Sequence, residues 1–252
     1  MPHPKKRFGQ NFLVEESIIQ SIIENFNSQP GDLVVEIGPG RGALTREIAS
    51  SGCDLTLIEI DDNLAKPLKE KFQSANVINH DVLKIDFGSL GSKKSIRIIG
   101  NLPYNISTPL LFKLTEENDV IIDLHIMLQK EVAERITAPP ATKQYGRLSI
   151  SMQLNWEATE LFEVPPSAFY PVPKVNSAFV RLKPRERPMF DPKIMNDLLT
   201  AAFSARRKTI RNALRQHLNE TELEIIGLNP DIRPENLTPE QFVRCANFLK
   251  QK

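Results

Sequence analysis

The segment Asn101-Leu102-Pro103-Tyr104 combines hydrogen-bond acceptors, a rigid turn residue and an aromatic ring within four positions. One reaction that such a set of groups could assist is attack by an exocyclic nitrogen of adenine. This nitrogen is a poor nucleophile, because its lone pair is delocalised into the ring. The side-chain oxygen of Asn101 and the carbonyl of Leu102 can accept from its N–H groups and aim that lone pair at an electrophile. Pro103 stiffens the turn and Tyr104 offers a flat face for the base. The alternative interpretation is a proline turn with an exposed tyrosine.

A glycine loop lies upstream, in the sequence LVVEIGPGRGALT at residues 33–45, where Gly38, Gly40 and Gly42 form a GxGxG pattern. Glycine permits a sharp turn and a close approach of the backbone to a ligand. The third glycine comes one position earlier than in the dinucleotide pattern GxGxxG. This spacing fits a single adenosine with a small charged tail better than a pyrophosphate, and it disfavours a nicotinamide-dependent oxidoreductase. A purely structural turn is the alternative.

Two carboxylates lie at the ends of the next two predicted strands. Glu59 comes 21 positions after Gly38, where nucleoside sites of α/β proteins place an acid that accepts both ribose hydroxyls. Asp81, in NHDVLKIDF, is in position to accept from an adenine amino group. Taken alone, Glu59 could be an exposed acid at a strand end, and Asp81 a helix N-cap or loop residue.

The elements that must position these residues alternate between strand and helix. An amphipathic helix is predicted over residues 15–26, and strand-length apolar runs then alternate with helical stretches. This order predicts an α/β fold with a mostly parallel sheet covered on both faces, whose strands end at a common crevice. The predicted strands are 33–37, 55–60, 77–79, 96–99 and 120–128.

The pattern changes after Gly146. Strands are predicted at 160–164 and 175–182, joined by a proline-rich stretch that suits an antiparallel last strand. Helices are predicted at 193–218 and 238–250, the second opening with a capping box in which Thr238 is the N-cap.

We place the domain boundary within KPRERP at residues 183–188, which separates a catalytic domain of residues 1–184 from a helical domain of residues 185–252.

Composition excludes several classes of protein. With 252 residues, 40% of them hydrophobic and 25% charged, the chain can bury a sizeable core. No run of about 18 apolar residues occurs and the N-terminus lacks an apolar signal region, so we expect a cytoplasmic protein without a membrane partner. Cys53 and Cys245 are far apart and the four histidines form no close pair, so no metal site is expected. Nothing requires more than a monomer.

The motifs taken together resemble a known family. EIGPGRGALT, IEID, HDVLKIDF, NLPYNIST and LQKEVAERI, in this order, are similar to the S-adenosylmethionine-dependent rRNA adenine N6,N6-dimethyltransferases. KKRFGQNFL, FYPVPKVNSAF and RRKTIRN are similar to the bacterial small-subunit (16S) branch. The resemblance runs from Lys5 to about Thr238. It implies a Rossmann-like methyltransferase sheet with a small all-helical C-terminal domain, and Leu102, in place of the second proline of the NPPY motif, matches the rRNA branch.

The resemblance also implies roles for particular residues. Tyr104 and Phe169 would sandwich a flipped adenine, although an aromatic residue among prolines, such as Phe169, is otherwise more typical of packing. The implied reaction is four methyl transfers, two on each of two adjacent adenines in a hairpin near the rRNA 3′ end, within a partly assembled small subunit. The implied contacts to S-adenosylmethionine are Asn11, Leu13, Gly38, Glu59, Asp81 and Asn101.

Charge is distributed unevenly along the chain. The net charge is only +1, but residues 1–184 carry 20 basic and 22 acidic side chains, whereas residues 185–252 carry 12 and 9. Residues 198–219 contain no acid, and helical spacing predicts Arg207, Arg211 and Arg215 on one face. We interpret this stretch as a track for RNA phosphates, with a solvated helix face as the alternative. The basic residues of the track are Arg206, Arg207, Lys208, Arg211 and Arg215.

A second basic cluster, which we also predict to bind RNA, comprises Lys5, Lys6 and Arg7, close before the QNFL segment. It is either a basic tail or part of a flap that orders over the cofactor site when RNA arrives.

Two other functions remain open at this point. One is the related large-subunit rRNA methyltransferase that confers macrolide resistance, which FYPVPKVNS and RRKTIRN disfavour. The other is a non-catalytic ribosome assembly factor, which the intact glycine loop and residues 101–104 disfavour.

Overall fold

The computed structural model describes residues 5, 9–92, 95–186, 188–204 and 207–252. The chain forms two compact units. The first, here called the sheet unit, comprises residues 1–133 and 157–184, and the second, the helical unit, comprises residues 134–156 and 185–252.

The described residues include nine strands and ten α-helices. The strands are β1 Phe12–Leu13, β2 Leu33–Ile37, β3 Asp54–Ile58, β4 Asn76–Ile78, β5 Ile96–Asn101, β6 Ile121–Gln129, β7 Trp156–Val164, β8 Phe169–Tyr170 and β9 Ser177–Pro184. The helices are α1 Glu16–Phe26, α2 Ala43–Ser50, α3 Asp62–Lys71, α4 Ser107–Glu116, α5 Lys130–Thr137, α6 Arg147–Asn155, α7 Pro192–Ala202, α8 Ile210–Ala213, α9 Glu220–Ile225 and α10 Pro239–Gln251.

The main sheet has seven strands in the order β4-β3-β2-β5-β6-β9-β7. The pairs among β2 to β6 are parallel, and β9 runs antiparallel to β6. In β2, four successive residues from Val34 to Ile37 are buried, as expected for a strand that is covered on both faces. The predicted α/β class and the antiparallel late strand are confirmed.

The strand order places a crevice at the end of β2. The chain leaves β2 toward β3 on one side and later returns as β5 on the other, so the connections diverge there. At such a switch point, loops that follow neighbouring strands can surround a ligand. The loops after β2, β3, β4 and β5 carry the residues singled out from the sequence.

The N-terminal segment is held by a second, two-stranded sheet. β1 pairs antiparallel with β8, with Phe12 opposite Tyr170 and Leu13 opposite Phe169. Each strand has two residues, too few for a hydrophobic alternation to be visible in the sequence. This pairing brings the QNFL segment and the FYPVP segment together, although about 160 residues separate them.

The helical unit begins earlier in the chain than the predicted boundary. Residues 134–156 were expected in the first domain, but they pack with residues 185–252. Ile150 and Leu154 of α6 share an apolar cluster with Leu198 of α7 and Phe242 of α10. This packing could not be predicted from the sequence, because an apolar helix face does not reveal which partner covers it.

The predicted helix over residues 193–218 is interrupted. α7 ends at Ala202 and α8 begins only at Ile210. The backbone N–H of Ile210 donates to Ile232 O at 2.7 Å, and that of Arg211 donates to Pro230 O at 3.1 Å. A continuous helix would have used these N–H groups internally, so tertiary hydrogen bonds replace helical ones here.

The predicted capping box of the last helix is confirmed. Thr238 Oγ1 accepts from the N–H of Gln241 at 3.3 Å, and Gln241 Oε1 accepts from the N–H of Thr238 at 2.8 Å. Within the described part of the chain, no helix has both the length and the apolarity needed to cross a bilayer.

Candidate active site

A cavity of about 270 Å³ lies in the sheet unit at the ends of β2, β3 and β5. Its lining unites segments that are distant in sequence, and it includes nearly all the residues predicted to bind a cofactor or to act on the substrate. Those that line it are Asn11, Leu13, Gly38, Glu59, Asp81, Asn101, Leu102, Pro103 and Tyr104.

The glycine loop forms one wall of the cavity. Gly38 has a φ of 68° and Gly40 a φ of 58°, in the left-handed region that favours glycine. A Cβ on Gly40 would also lie 3.1 Å from the ring of Phe12, which packs over the loop. The loop therefore needs glycine both for its conformation and for its contact with the N-terminal segment.

Glu59 is buried directly after β3, and backbone groups hold its carboxylate. It is 5% exposed, and its two oxygens accept from the N–H of Gly40 at 3.1 Å and from that of Asp61 at 2.9 Å. Burial raises the pKa of Glu59, while the two backbone hydrogen bonds oppose that rise. The alternative interpretation, an exposed acid at a strand end, does not describe this residue, since its carboxylate is buried and bonded to the glycine loop.

Asp81 lies across the cavity after β4 and caps a short 3₁₀ turn that begins at Val82. Its Oδ1 accepts from the N–H of Leu83 at 3.0 Å. The capping role that we gave as an alternative is therefore present. Capping uses one oxygen of the carboxylate, so a ligand contact through the other is compatible with it.

Asn101 is the last residue of β5, and the N-terminal segment fixes its side chain. Its Nδ2 donates to the backbone carbonyl of Asn11 at 2.8 Å. Because the amide nitrogen takes this partner, the side-chain oxygen points the other way as an acceptor. The loop that follows is also fixed, since Pro103 O accepts from the N–H of Ile106 at 3.1 Å and Tyr104 O from Ser107 Oγ at 3.1 Å.

Lys5 differs from its predicted role in RNA binding. Its ammonium group donates to Asp61 Oδ1 at 2.7 Å, and Asp61 is 3% exposed. Gln10 bridges the two residues, because its Oε1 accepts from the N–H of Lys5 and its Nε2 donates to Asp61. Lys5 thus ties the N-terminal segment to the residue that caps α3 rather than presenting its charge to an RNA. Lys6 and Arg7 lie outside the described residues.

Phe169 is not part of the cavity wall. Its side chain is 2% exposed and packs in the core of the sheet unit with Leu13 and Phe179. The neighbouring Tyr170 is 53% exposed, since successive residues of a strand point to opposite faces. The packing interpretation of Phe169 therefore describes this conformation, and the sandwich implied by the family resemblance is not formed in it.

Tyr104 is half-buried and lines the cavity next to Pro103. Its hydroxyl group lies 2.7 Å from Ser177 Oγ. Burial raises the pKa of Tyr104, and the hydrogen bond to Ser177 opposes that rise.

Glu36 is a site residue that sequence reasoning missed. It is the penultimate residue of β2, is 2% exposed, lines the cavity, and accepts from Thr45 Oγ1 at 2.7 Å. Burial raises its pKa to about 8, opposed by the Thr45 hydrogen bond and assisted by the nearby charge of Glu59. An acid inside the apolar run LVVEI was the available signal, because a fully buried carboxyl group is uncommon.

Replacement of Glu36 by Gln should change how stability depends on pH. The folded state retains the Glu36 proton up to about pH 8, whereas the unfolded chain releases it near pH 4.5, so wild-type stability falls as the pH rises between these values. Glu36→Gln removes this loss, which amounts to about 1.4 kcal/mol per pH unit at most. Urea titrations from pH 5 to pH 8 measure it, and parallel pH profiles for the two proteins would contradict the assignment.

The basic residues of the helical unit do not form the predicted single helix face. Arg207 lies before α8 and Arg211 within it, and Arg211 is paired with Glu220 at 3.2 Å and Asp231 at 2.8 Å. Although residues 198–219 contain no acid, acidic side chains from other parts of the chain lie next to Arg211. Arg207, Lys208 and Arg215 are exposed, and Arg206 lies outside the described residues.

Comparisons with known proteins agree with this geometry. The family described as ribosomal RNA adenine dimethylase matches residues 1–251. The ribosomal RNA small subunit methyltransferase A of Nitrosospira multiformis is 44% identical, with 98% of this chain and 97% of the relative covered. The protein of the same name from Acinetobacter baylyi is 48% identical, with 97% and 92% covered.

Two solved structures resemble the whole chain. A dimethyladenosine transferase from Plasmodium falciparum is 26% identical with a TM-score of 0.82, covering 95% of this chain and 98% of its own. The 23S rRNA methyltransferase ErmE is 29% identical with a TM-score of 0.67, covering 96% and 100%. With a family match over nearly its full length and relatives above 40% identity, this chain belongs to the ribosomal RNA adenine dimethylase family.

Proposed function

We propose that the chain transfers methyl groups from S-adenosylmethionine to N6 of two adjacent adenines in a hairpin near the 3′ end of 16S rRNA, giving N6,N6-dimethyladenosines. The observation that carries this proposal is the convergence of the glycine loop, Glu59, Asp81 and residues 101–104 on one cavity. Direct transfer of a group requires donor and acceptor to be held side by side, and a shared cavity does this.

Glu59 and Asp81 are assigned to the nucleoside of the cofactor. Each carboxylate oxygen of Glu59 already accepts one backbone hydrogen bond and can accept another, so a pair of ribose hydroxyls fits this group. The second oxygen of Asp81 suits an adenine amino group. Ile60 and Val82, which also line the cavity, supply apolar surface for the base between the two carboxylates.

Gly38, Asn11 and Leu13 are assigned to the methionine end. Gly38 brings backbone rather than a side chain to the cavity, and Asn11 and Leu13 flank the segment that packs over the loop. Bound S-adenosylmethionine supplies an electrophilic methyl group on a positively charged sulfur. The charge and hydrogen-bonding character of the lining therefore fit this cofactor, and the assignment needs no metal.

Asn101 and Leu102 are assigned to the reacting nitrogen. The bond from its amide nitrogen to Asn11 leaves the Asn101 side-chain oxygen as an acceptor. This oxygen accepts one N6 hydrogen, and the Leu102 carbonyl accepts the other. With both hydrogens held, the nitrogen becomes pyramidal and its lone pair faces the methyl group. As the nitrogen gains the methyl group, the bond between that methyl group and sulfur would break and the cofactor would leave as a neutral thioether. The positively charged amine would then lose a proton to water, so no strong general base is required.

Tyr104 is assigned to the target base. An adenine within an RNA helix is out of reach until it is flipped out, and an aromatic face stabilises the flipped base by about 1–3 kcal/mol. A second face from Phe169 would require that ring to leave the core.

We assign the basic residues of the helical unit to RNA phosphates. They are the exposed Arg207, Lys208 and Arg215, together with Arg206. Arg211 joins them only by exchanging its exposed carboxylate partners for phosphate, which costs little because surface ion pairs are weak. The substrate in this proposal is a partly assembled small subunit in the cytoplasm, and the protein acts as a monomer.

Incubation with labelled S-adenosylmethionine and undermethylated small subunits, followed by mapping of the labelled nucleotides, tests the proposed function. The expected result is four methyl groups per subunit on two adjacent adenines near the 3′ end of 16S rRNA. Label in 23S rRNA would assign the chain to the large-subunit branch. Binding to subunits without any label would instead favour an assembly factor.

A further inference from the structure

We infer that Ser177 is a positioning residue for methyl transfer, because its hydroxyl group holds the ring of Tyr104 at the place where the target base stacks. This inference rests on the proposed function and adds a residue of β9 to the site. The two hydroxyl groups are 2.7 Å apart, although 73 residues separate them in the sequence.

Ser177 is a rigid anchor. It is completely buried, it is the first residue of β9, and its backbone pairs with Gln129 at the end of β6. The residue before it, Asn176, accepts a backbone hydrogen bond from Lys130 at 3.0 Å. A hydroxyl group held by two strands in this way has little freedom to follow a moving partner.

Tyr104 is thereby held at both ends. Its backbone lies in the turn fixed by Pro103 and by the hydrogen bond from Ser107, and its hydroxyl group is fixed by Ser177. With both ends held, rotation about the Cα–Cβ bond is restricted, and the position of the ring is set before a base arrives.

Stacking alone does not explain the hydroxyl group. A phenylalanine ring presents the same flat face, so the base itself makes no demand for a tyrosine. The hydrogen bond with Ser177 accounts for the hydroxyl group of Tyr104. It also accounts for the serine at the end of the motif FYPVPKVNS. An error of about 1 Å in alignment can cost about 100-fold in rate, so a partly freed ring is expected to slow transfer measurably.

The test is a double-mutant cycle with undermethylated small subunits. Ser177→Ala and Tyr104→Phe should each lower kcat about five- to tenfold and leave KM for S-adenosylmethionine unchanged. The double variant should be no slower than either single variant, because all three lack the same hydrogen bond. Ser177→Thr, which keeps the hydroxyl group, should restore at least half of the lost rate.

Ser149→Ala is the matched control, since Ser149 is equally buried but lies in the helical unit, where its hydroxyl group caps α6. It should lower Tm without changing kcat. Losses that multiply in the double variant, or a wild-type kcat in Tyr104→Phe, would overturn the inference. If Ser177→Ala does not fold, Tyr104→Phe and Ser177→Thr decide the matter. A wild-type protein that methylates no subunit would instead refute the proposed function and leave no rate to compare.

Discussion

Asn101→Ala is expected to lower the rate of methyl transfer to unmodified adenine about 100- to 1000-fold. The side-chain oxygen of Asn101 acts at the point where the amine develops charge, and loss of one such group in a preorganised site typically costs this much. Its orientation is set before substrate arrives, because Nδ2 is already bound to the carbonyl of Asn11 at 2.8 Å. Single-turnover rates with undermethylated small subunits at saturating cofactor measure the effect.

Asn101→Ala should lower the rate of the second methylation less than that of the first. N6-methyladenine has one N–H left, so the carbonyl of Leu102 and the side-chain oxygen of Asn101 cannot both be occupied in that step. The loss caused by Asn101→Ala should therefore be smaller on subunits that already carry N6-methyladenine. Equal losses on the two substrates would show that the two acceptors do not act together on N6.

Asn101→Asp distinguishes the contribution of the hydrogen bond to Asn11 from that of the side-chain oxygen that accepts from the target amine. An aspartate keeps an oxygen for the target amine but has no N–H to donate to the Asn11 carbonyl, and it brings a charge close to that oxygen. Its rate should fall between those of the wild type and Asn101→Ala. A rate as high as that of the wild type would mean that the Asn11 contact does not matter for catalysis.

Glu59→Ala is expected to raise Kd for S-adenosylmethionine at least about 100-fold. Two effects add: the ribose loses two hydrogen bonds to a charged group, each worth about 1.5–3 kcal/mol, and the backbone N–H groups of Gly40 and Asp61 lose their acceptor. The second effect loosens the glycine loop itself. Calorimetric titration of the free protein with cofactor measures Kd without any need for rRNA.

Glu59→Gln should also bind S-adenosylmethionine more weakly, although the Gln side chain is almost the same size as that of Glu. One end of a Gln side chain is an amide nitrogen, which would face a backbone N–H of either Gly40 or Asp61, donor against donor. We expect about a tenfold rise in Kd. Asp62→Asn is the matched control, since this acid is exposed in the first turn of α3, and it should bind cofactor as the wild type does. If Glu59→Gln bound S-adenosylmethionine as tightly as the wild type, the assignment of the Glu59 carboxylate to the ribose would be wrong.

Much of the sheet was predictable because its signals are local. β2 was predicted exactly as Leu33–Ile37, and β3, β4 and β6 were predicted within two residues at either end, since buried strands are continuous apolar runs. The long helix over 193–218 was not predictable in the same way. Both of its halves have helical periodicity, and only the hydrogen bonds of Ile210 and Arg211 to a loop 20 residues away interrupt it.

The sequence by itself determined which residue types stand at the ends of β2, β3, β4 and β5, and the topology of a parallel sheet then places those ends together. The tertiary structure alone decided how these residues are held. The Asn101–Asn11, Lys5–Asp61 and Tyr104–Ser177 contacts join residues 56 to 90 positions apart. A hydrogen bond between distant polar side chains leaves no periodicity in the sequence. The same holds for Phe169 and Tyr170, since both are aromatic and only the pairing of β8 with β1 decides which one is buried.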